Sequence, residues 1–374
     1  MIDEQYKICK RCIMDTTDPD IKFDEQGFCN HCTSALRRLH EYWSNLGKPE
    51  IVKSIVDNIK RSGKNRSYDC VVGVSGGLDS SYLLYKAVEY GLRPLAFHVD
   101  NGWNSELSSI NIENLVKKLG VDLETLVIDW NSFRAMQRAY FKSSVVDLEM
   151  LSDNSISVGL YRVMKKHRIQ FSLTGYNLSS ETIMPASWLY QPKYDGLNIR
   201  SIYKANRDHK KRIYYDTVRY MGYLGIQRNA QKGVCVPLLN YIDYSKEEAL
   251  EKLKDEIDYR PYPYKHFESR ITAFYQGFIL PEKYGIDKRR AHLSSMICSG
   301  QMTREEALEE VKKPPMSPES VAEEKQYFLK KLGFSENEFH EIMLASRKEH
   351  LEFKSYRNDW RLANKIVQVV TKYI

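Results

Sequence analysis

No stretch of this 374-residue chain is apolar for long enough to cross a bilayer. Runs such as Val71 to Val74 and Ile366 to Val370 fall far short of the ~20 residues a spanning helix needs. The opening Met1-Ile-Asp-Glu-Gln-Tyr-Lys lacks the basic-then-apolar order of a secretory signal. A cytoplasmic location is therefore expected, with no membrane partner. Low-complexity tracts and internal repeats are missing as well. With 42% hydrophobic and 28% charged residues, the composition is that of a globular protein able to bury a large core. Overall charge imbalance is small, 56 Lys/Arg against 49 Asp/Glu, and one stretch carries an excess as large as the whole. Arg200 to Lys232 holds nine Lys/Arg and two Asp, together with Tyr203, Tyr214, Tyr215, Tyr220 and Tyr223. A basic-aromatic patch suits an anionic ligand such as nucleic acid, a nucleotide sugar or pyrophosphate. A solvated helix face reads about as well for any single residue.

Cysteine is sparse, seven in all, yet Cys9, Cys12, Cys29 and Cys32 sit within 24 residues. A disulfide framework is disfavoured in a reducing compartment. Two Cys-x-x-Cys pairs separated by sixteen residues match the paired knuckles of a four-cysteine zinc ribbon, each pair gripping one edge of a tetrahedron. Gly27 and Asn30 supply turn chemistry, and His31 is a weaker ligand than its neighbours. A closed four-thiolate site leaves no position open for chemistry, so the metal, Zn²⁺, is expected to be structural. Its removal is expected to unfold residues 1 to about 35.

The remaining pattern divides the chain into a ribbon over 1–34, a helical linker over 35–67, an α/β domain over 68–245 and a helical region over 246–374. Two amphipathic helices break at Gly47-Lys-Pro49. From Tyr68, short apolar runs alternate with helices. Strands are expected over 69–74, 94–99, 123–128 and 169–174, and helices over 80–90, 105–119 and within 131–167. Such alternation predicts a parallel, doubly wound sheet with ligands at the carboxyl ends of its strands. Residues 178–245 read as less regular, and capping boxes mark helix starts at Thr303 and Ser335.

The strongest chemical signal is Val74-Ser75-Gly76-Gly77-Leu78-Asp79-Ser80-Ser81, between a predicted strand and a predicted helix. Two glycines let the backbone turn and approach a ligand, the serines add hydroxyls, and the helix start attracts an anion. What the loop lacks is the Lys of a Walker loop. It therefore suits a pyrophosphate cradled as a unit, with attack at the α-phosphate. Asp79 is a candidate Mg²⁺ ligand, because Mg²⁺ prefers one or two carboxylates plus phosphate oxygens.

Ser75-Gly-Gly-Leu-Asp-Ser80 resembles the PP-loop of ATP-pyrophosphatases, a group including asparagine and GMP synthetases, argininosuccinate synthetase and tRNA-modifying ligases. That resemblance implies an adenine nucleotide alpha hydrolase-like sheet, ATP with Mg²⁺, and an adenylated intermediate. It places Val74, Ser75, Gly76, Gly77, Asp79, Ser80 and Ser81 on the nucleotide, with Ser75 and Asp79 in the chemistry. The second strand end, His98, Val99 and Asp100, and the later loop Thr174-Gly175 would join them. Two further blocks, Cys9 to Glu25 with Cys29-Asn-His-Cys32, and Lys265 to Arg270 continuing to Glu306, resemble bacterial N-acetyl sugar amidotransferases of the WbpG and PseA type. This implies conversion of a sugar acetamido group to an acetamidino group for a surface glycan, lipopolysaccharide O-antigen or flagellin glycan. Lys265, His266 and Glu268 become catalytic candidates, and Asn177, Arg270, Lys288, Arg289 and His292 substrate-binding candidates. The expected substrate is an N-acetylated sugar, UDP-linked in the first instance, with a CMP-linked or free sugar left open.

A glutaminase nucleophile, either an N-terminal Cys or a Cys with a downstream His-x-Glu, is also missing. Ammonia is therefore expected from a separate glutaminase, through a HisH/HisF-like partner pair as the resemblance implies. Homo-oligomer formation is compatible with the sequence, and nucleic acid is not the expected partner. The rival reading is a PP-loop tRNA-modifying ligase or thiolase with a zinc ribbon. The basic-tyrosine stretch favours it. The lack of a reactive cysteine near the loop opposes it, since Cys70 lies in an apolar strand. A zinc-ribbon binding module without activity leaves the PP-loop unexplained.

Overall fold

Among the described residues five short parallel strands form one sheet, in the order β3-β2-β1-β4-β5. The computed structural model describes residues 6–208, 213, 215, 234–262 and 267–357. Two helices precede the sheet, α1 (Asn30–Trp43) and α2 (Pro49–Gly63). The sheet then builds through β1 (Cys70–Gly73), α3 (Leu78–Glu89), β2 (Pro94–Asp100), α4 (Glu106–Leu119) and β3 (Leu123–Val127). After α5 (Trp130–Ser143) and α6 (Met150–His167) the chain returns as β4 (Phe171–Leu173) on the other side of β1. Then follow α7 (Leu178–Glu181), α8 (Gly196–Asn206), β5 (Val234–Val236) and α9 (Lys246–Ile257).

The C-terminal region holds α10 (Arg270–Phe274), α11 (Leu280–Tyr284), α12 (Lys288–Cys298), α13 (Arg304–Lys312), α14 (Pro318–Leu332) and α15 (Glu336–Leu344). Between α10 and α11, Tyr275–Ile279 widens to a π-turn, with the Leu280 N–H reaching the Tyr275 carbonyl. Pro281 follows at once and has no N–H to continue the tighter ladder.

Strand residues face both ways, which a buried parallel sheet requires. On one face Cys70, Val72, Ala96 and Leu173 pack with Leu83, Leu84, Ile112 and Leu115. On the other, Val71, Leu95 and Phe97 meet Val163 and Ile169. Because β2 and β3 lie to one side of β1 and β4 and β5 to the other, the connection reverses direction between β1 and β4. That is where a ligand crevice opens in such sheets.

The doubly wound reading holds, and local signals placed several ends well. Ser105 caps α4 by accepting from the Ser108 N–H, and Gly120 ends it in the left-handed region, φ 63°. Both expected capping boxes form, at Thr303/Glu306 and Ser335/Glu338. Other expectations need correction. Strand β1 starts at Cys70 rather than Asp69, whose carboxylate is held by the Arg93 guanidinium at 2.7 Å. A fifth strand lies in a stretch read as irregular. The region beyond 246 is not helical throughout, since Ser269 forms an antiparallel bridge with Asn104. Helix α1 begins between Cys29 and Cys32, so a boundary at 34 falls inside it. Helix α9 contributes Ala249, Leu253 and Ile257 to the sheet's own core. Most of the basic-tyrosine stretch, at 209–212, 214 and 216–233, lies outside the described residues. No helix among the described residues is long and apolar enough to cross a membrane.

Candidate active site and metal centre

The loop from Val74 to Ser81 leaves β1 at the reversal and turns into α3. Gly76 sits at φ 82°, a conformation that costs other residues, and a Cβ there would stand 2.7 Å from the Ser108 carbonyl oxygen. The loop's acceptors are tied back from outside. Ser108 Oγ donates to the Ser75 carbonyl at 2.8 Å, while Tyr262 OH (3.1 Å) and Asn111 Nδ2 (3.3 Å) donate to that of Gly76. The hydroxyls order the interior: Ser75 Oγ accepts from the Gly77 N–H at 3.3 Å and lies 3.2 Å from Ser80 Oγ. Carbonyls turned away on their own donors leave a turn lined by N–H groups and hydroxyls, at the positive end of α3. This is an anion seat.

The other expected nucleotide residues converge on it. Val74 N–H donates to the Phe97 carbonyl at 2.8 Å. His98 lies 2.8 Å by Nδ1 from the Val74 carbonyl. A carbonyl only accepts, so Nδ1 carries the proton and Nε2 accepts from Asn104 Nδ2 at 2.8 Å. With both ring nitrogens engaged, His98 holds the loop to the strand end. Val99 is half-buried in the second core face. Asp100 accepts from the Gly102 N–H at 2.8 Å and shapes the turn after β2. Thr174 continues β4 by donating its N–H to the Val236 carbonyl at 3.1 Å, and a Cβ on Gly175 would stand 3.2 Å from Ser80 N. The loop after β4 therefore lies against the start of α3.

The C-terminal region reaches the same seat. The Glu268 carbonyl accepts from the Ser105 N–H at 2.9 Å, and Arg270 N–H donates to the Trp103 carbonyl at 2.9 Å. A Cβ on Gly77 would overlap Glu268 Oε1. Lys265 and His266 lie outside the described residues.

Sequence reasoning missed the tyrosines. Tyr244 OH donates to Asp79 Oδ1. Burial and the neighbouring Asp79 carboxylate push the Tyr244 phenol far up. Burial also raises Tyr262, to about 12. Nothing local marks these residues, whose partners are distant in sequence.

Among the substrate candidates the structure separates one group from another. Arg270 stacks on Tyr327 at 3.7 Å and its Nε lies 3.0 Å from Glu324. Lys288 pairs with Glu149 at 2.6 Å, and Arg289 with Asp287 at 2.7 Å. These three cations serve carboxylates of the chain itself, and two of them, Arg270 and Lys288, join different helices. Asn177 is buried, and its Oδ1 accepts from Ser179 Oγ, Ser180 Oγ and the Ser180 N–H, which caps α7. His292 donates from Nδ1 to the Ser180 carbonyl at 2.8 Å and faces Lys246 at 3.1 Å through Nε2. It fastens α12 to α7 close behind the Gly175 loop.

The four clustered cysteines are buried, with Cys9 and Cys32 sulfurs 3.7 Å apart, Cys12 and Cys29 sulfurs 3.6 Å apart, and all four within 4.8 Å. A tetrahedral ion with bonds of ~2.3 Å sets its sulfurs about 3.8 Å apart. The cage therefore fits one ion. A polynuclear cluster, with each thiolate on its own iron, would spread them further. Backbone N–H groups of Arg11, Cys12 and Cys29 reach Cys9 Sγ at 3.4, 3.5 and 3.2 Å, which suits thiolate charge. His31 is no ligand here, since its Nε2 meets Asp18 at 2.5 Å.

The knuckle is joined to the far end of the chain. Arg304 donates to the Cys9 and Cys12 carbonyls at 3.0 and 3.1 Å, Arg290 to Ile13 at 2.9 Å, and Ile13 N–H to Ser294 Oγ at 3.2 Å.

A sequence profile described as "LPS biosynthesis protein WbpG-like, C-terminal domain" matches residues 268–367, starting at the glutamate that reaches the loop. No curated protein sequence matches the chain. Among solved structures, the chain is similar to an NH3-dependent NAD synthetase from Campylobacter jejuni at 18% identity and TM-score 0.28, covering 56% of this chain and 93% of that one. An NMN synthetase from Francisella tularensis matches at 15% and 0.32, over 80% and 97%. A U34-tRNA thiolase with a [4Fe-4S] cluster, from Methanococcus maripaludis, matches at 13% and 0.33, over 90% of each.

Proposed function

We propose that this chain, whose residues 268–367 match the WbpG-like family, is an ATP-dependent amidotransferase acting on the acetamido group of an N-acetylated, nucleotide-linked sugar. The observation that carries this reading is Glu268: the first residue of the family-matched region lies on Gly77 of the phosphate loop. The anion seat and the family-matched region thus meet in one crevice.

An amide carbonyl is a poor electrophile, and ATP supplies the adenylyl group that turns its oxygen into a leaving group. Pyrophosphate leaves as that bond forms; ammonia then adds to the imidate carbon, and AMP departs with the former amide oxygen. The chain's own part is electrostatic. Amides around Gly77 and the hydroxyls of Ser75 and Ser80 receive pyrophosphate charge, preorganised by the tied-back carbonyls. Asp79, in the first turn of α3, would hold Mg²⁺, which favours one or two carboxylates plus phosphate oxygens. Cys9, Cys12, Cys29 and Cys32 would hold Zn²⁺ as a closed, structural centre. Ammonia would come from a separate glutaminase, delivered where residues 267–269 meet the start of α3.

The cysteines weigh against sulfur transfer. Burial pushes the Cys70 thiol up and raises Cys298 to about 12. Thiols so protonated are poor nucleophiles. Of the three cysteines outside the cluster, Cys70 and Cys298 are buried and Cys235 is exposed.

The test incubates the protein with ATP, an ammonium salt at mildly alkaline pH, and either UDP-linked acetamido sugars or bulk tRNA. AMP and pyrophosphate release, with the sugar's mass changed by replacement of oxygen with an imino group, is the expected result. AMP release that requires tRNA, with salt-sensitive tRNA binding, would sink the proposal.

A further inference from the structure

Three polar residues of α4 reach the segment that follows α9. Asn111, Asn114 and Lys118 recur at spacings of three and four, so they share one face of the helix. Lys118 pairs with the Asp258 carboxylate at 3.1 Å, and Asn114 Nδ2 donates to the Asp258 carbonyl at 3.4 Å. Asn111 is wholly buried and grips the backbone of Arg260. Its Oδ1 accepts from the Arg260 N–H at 3.0 Å, and its Nδ2 donates to the Arg260 carbonyl at 2.9 Å. Those two bonds fix which way the amide points, since an N–H only donates and a carbonyl only accepts. The second Nδ2 hydrogen is left for the Gly76 carbonyl, 3.3 Å away, and the Tyr262 hydroxyl oxygen, 3.4 Å away. Tyr262 donates its own hydrogen to the same carbonyl at 3.1 Å.

The Gly76 carbonyl needs such holding. It belongs to a peptide between two glycines, and no Cβ on either side opposes rotation of that peptide. Turned over, it would aim its oxygen at the anion. We propose that Asn111 is a positioning residue for the phosphate loop, acting through the Gly76 carbonyl, and that it makes the setting of the loop and the seating of residues 258–262 a single event. This rests on the nucleotide reading above and deepens it. Pyrophosphate charge at the loop favours the peptide orientation that Asn111 and Tyr262 hold, so an occupied loop tightens the grip on residues 260–262. The chain carrying Lys265 and His266 is then fastened on its near flank by Asn111 and on its far flank by the Ser105 bond to Glu268. One buried amide links the nucleotide side of the site to that chain.

The test uses the full chain, with Mg²⁺ present, and three probes: inorganic pyrophosphate, AMP, and α,β-methylene ATP, which is not cleaved at that bond. Calorimetry reads affinity, and amide hydrogen exchange reads the backbone of 258–262. Asn111→Ala should weaken pyrophosphate and the ATP analogue by about tenfold, the worth of roughly one lost hydrogen bond. AMP, which lacks the pyrophosphate, should bind within about twofold of native. Pyrophosphate should slow exchange over 258–262 in the native chain and fail to do so in Asn111→Ala. A general loosening of the fold would weaken AMP as well and leave the exchange response in place. Tyr262→Phe takes one donor from Gly76 and spares the Arg260 bonds, so it should weaken pyrophosphate by a smaller factor. It also carries the comparison if Asn111→Ala melts early. Unchanged pyrophosphate affinity in both variants, equal losses for pyrophosphate and AMP, or an exchange response preserved in Asn111→Ala would overturn the proposal. If the native chain binds neither pyrophosphate nor the ATP analogue, the nucleotide reading itself falls, and this proposal with it.

Discussion

The Tyr244 hydroxyl donates a hydrogen bond to Asp79, across 165 residues of sequence, and so covers the acid best placed for a cation at the phosphate loop. A cation arriving with nucleotide must take Asp79 in competition with that donor. Tyr244→Phe should therefore lower the Mg²⁺ concentration that half-saturates nucleotide binding. It should also cost about 1 kcal/mol of stability for the lost hydrogen bond. An unchanged Mg²⁺ dependence would show that the bond persists in the loaded state.

Gly76→Ala meets two obstacles, the left-handed backbone and the Ser108 carbonyl 2.7 Å from the new carbon. A destabilisation of about 1–3 kcal/mol is expected from strain and displaced packing. Thermal melts measure that loss, and nucleotide titration measures binding, which should fall to background. A variant that binds nucleotide normally would mean that the loop moves as a unit on loading.

Chelation should loosen more than the N-terminal ribbon. Because Arg304, Arg290 and Ser294 are bonded to the knuckle, hydrogen exchange should rise in 290–304 together with 8–34. The sheet strands should be spared. Metal affinity should fall on acidification, since four thiols must lose protons to bind. Exchange confined to 8–34 would contradict the coupling.

His350 is buried against Tyr190, rings 4.4 Å apart, and burial holds it down to about 4 from the ordinary 6.5. Below 6.5 the unfolded chain takes up a proton that the folded imidazole resists. Stability is therefore fully present above pH 6.5 and is lost as pH falls toward about 4, by about 3 kcal/mol at most. His350→Phe should flatten that limb of the melting-temperature profile. A profile of unchanged slope would assign the acid loss to the carboxylates.

Much of the loop between β1 and α3 was legible because its signals are local. Strand, two glycines, Asp and helix follow each other within a dozen residues, and the cysteine spacing carries its geometry with it. The same locality placed Ser105, Gly120, Thr303 and Ser335 at helix ends. What escaped depends on contacts distant in sequence. Nothing beside Lys288 reveals that Glu149, 139 residues away, will neutralise it, nor beside Arg270 that Glu324 will. Strand β5 is three residues long and followed by Pro237, so it has no periodicity to read; its pairing with β4 makes it a strand. The Asn177 side chain looked available because its capping role depends on α7, a helix of only four residues.

The guanidinium of Arg304 resting on the Cys9 and Cys12 carbonyls bears on protein engineering. The ribbon is not a detachable cartridge. A graft that exchanges it at residue 34 would set foreign carbonyls before Arg304 and leave Arg290 facing Ile13's replacement. Chimeras should take residues 8–34 and 290–304 from one parent.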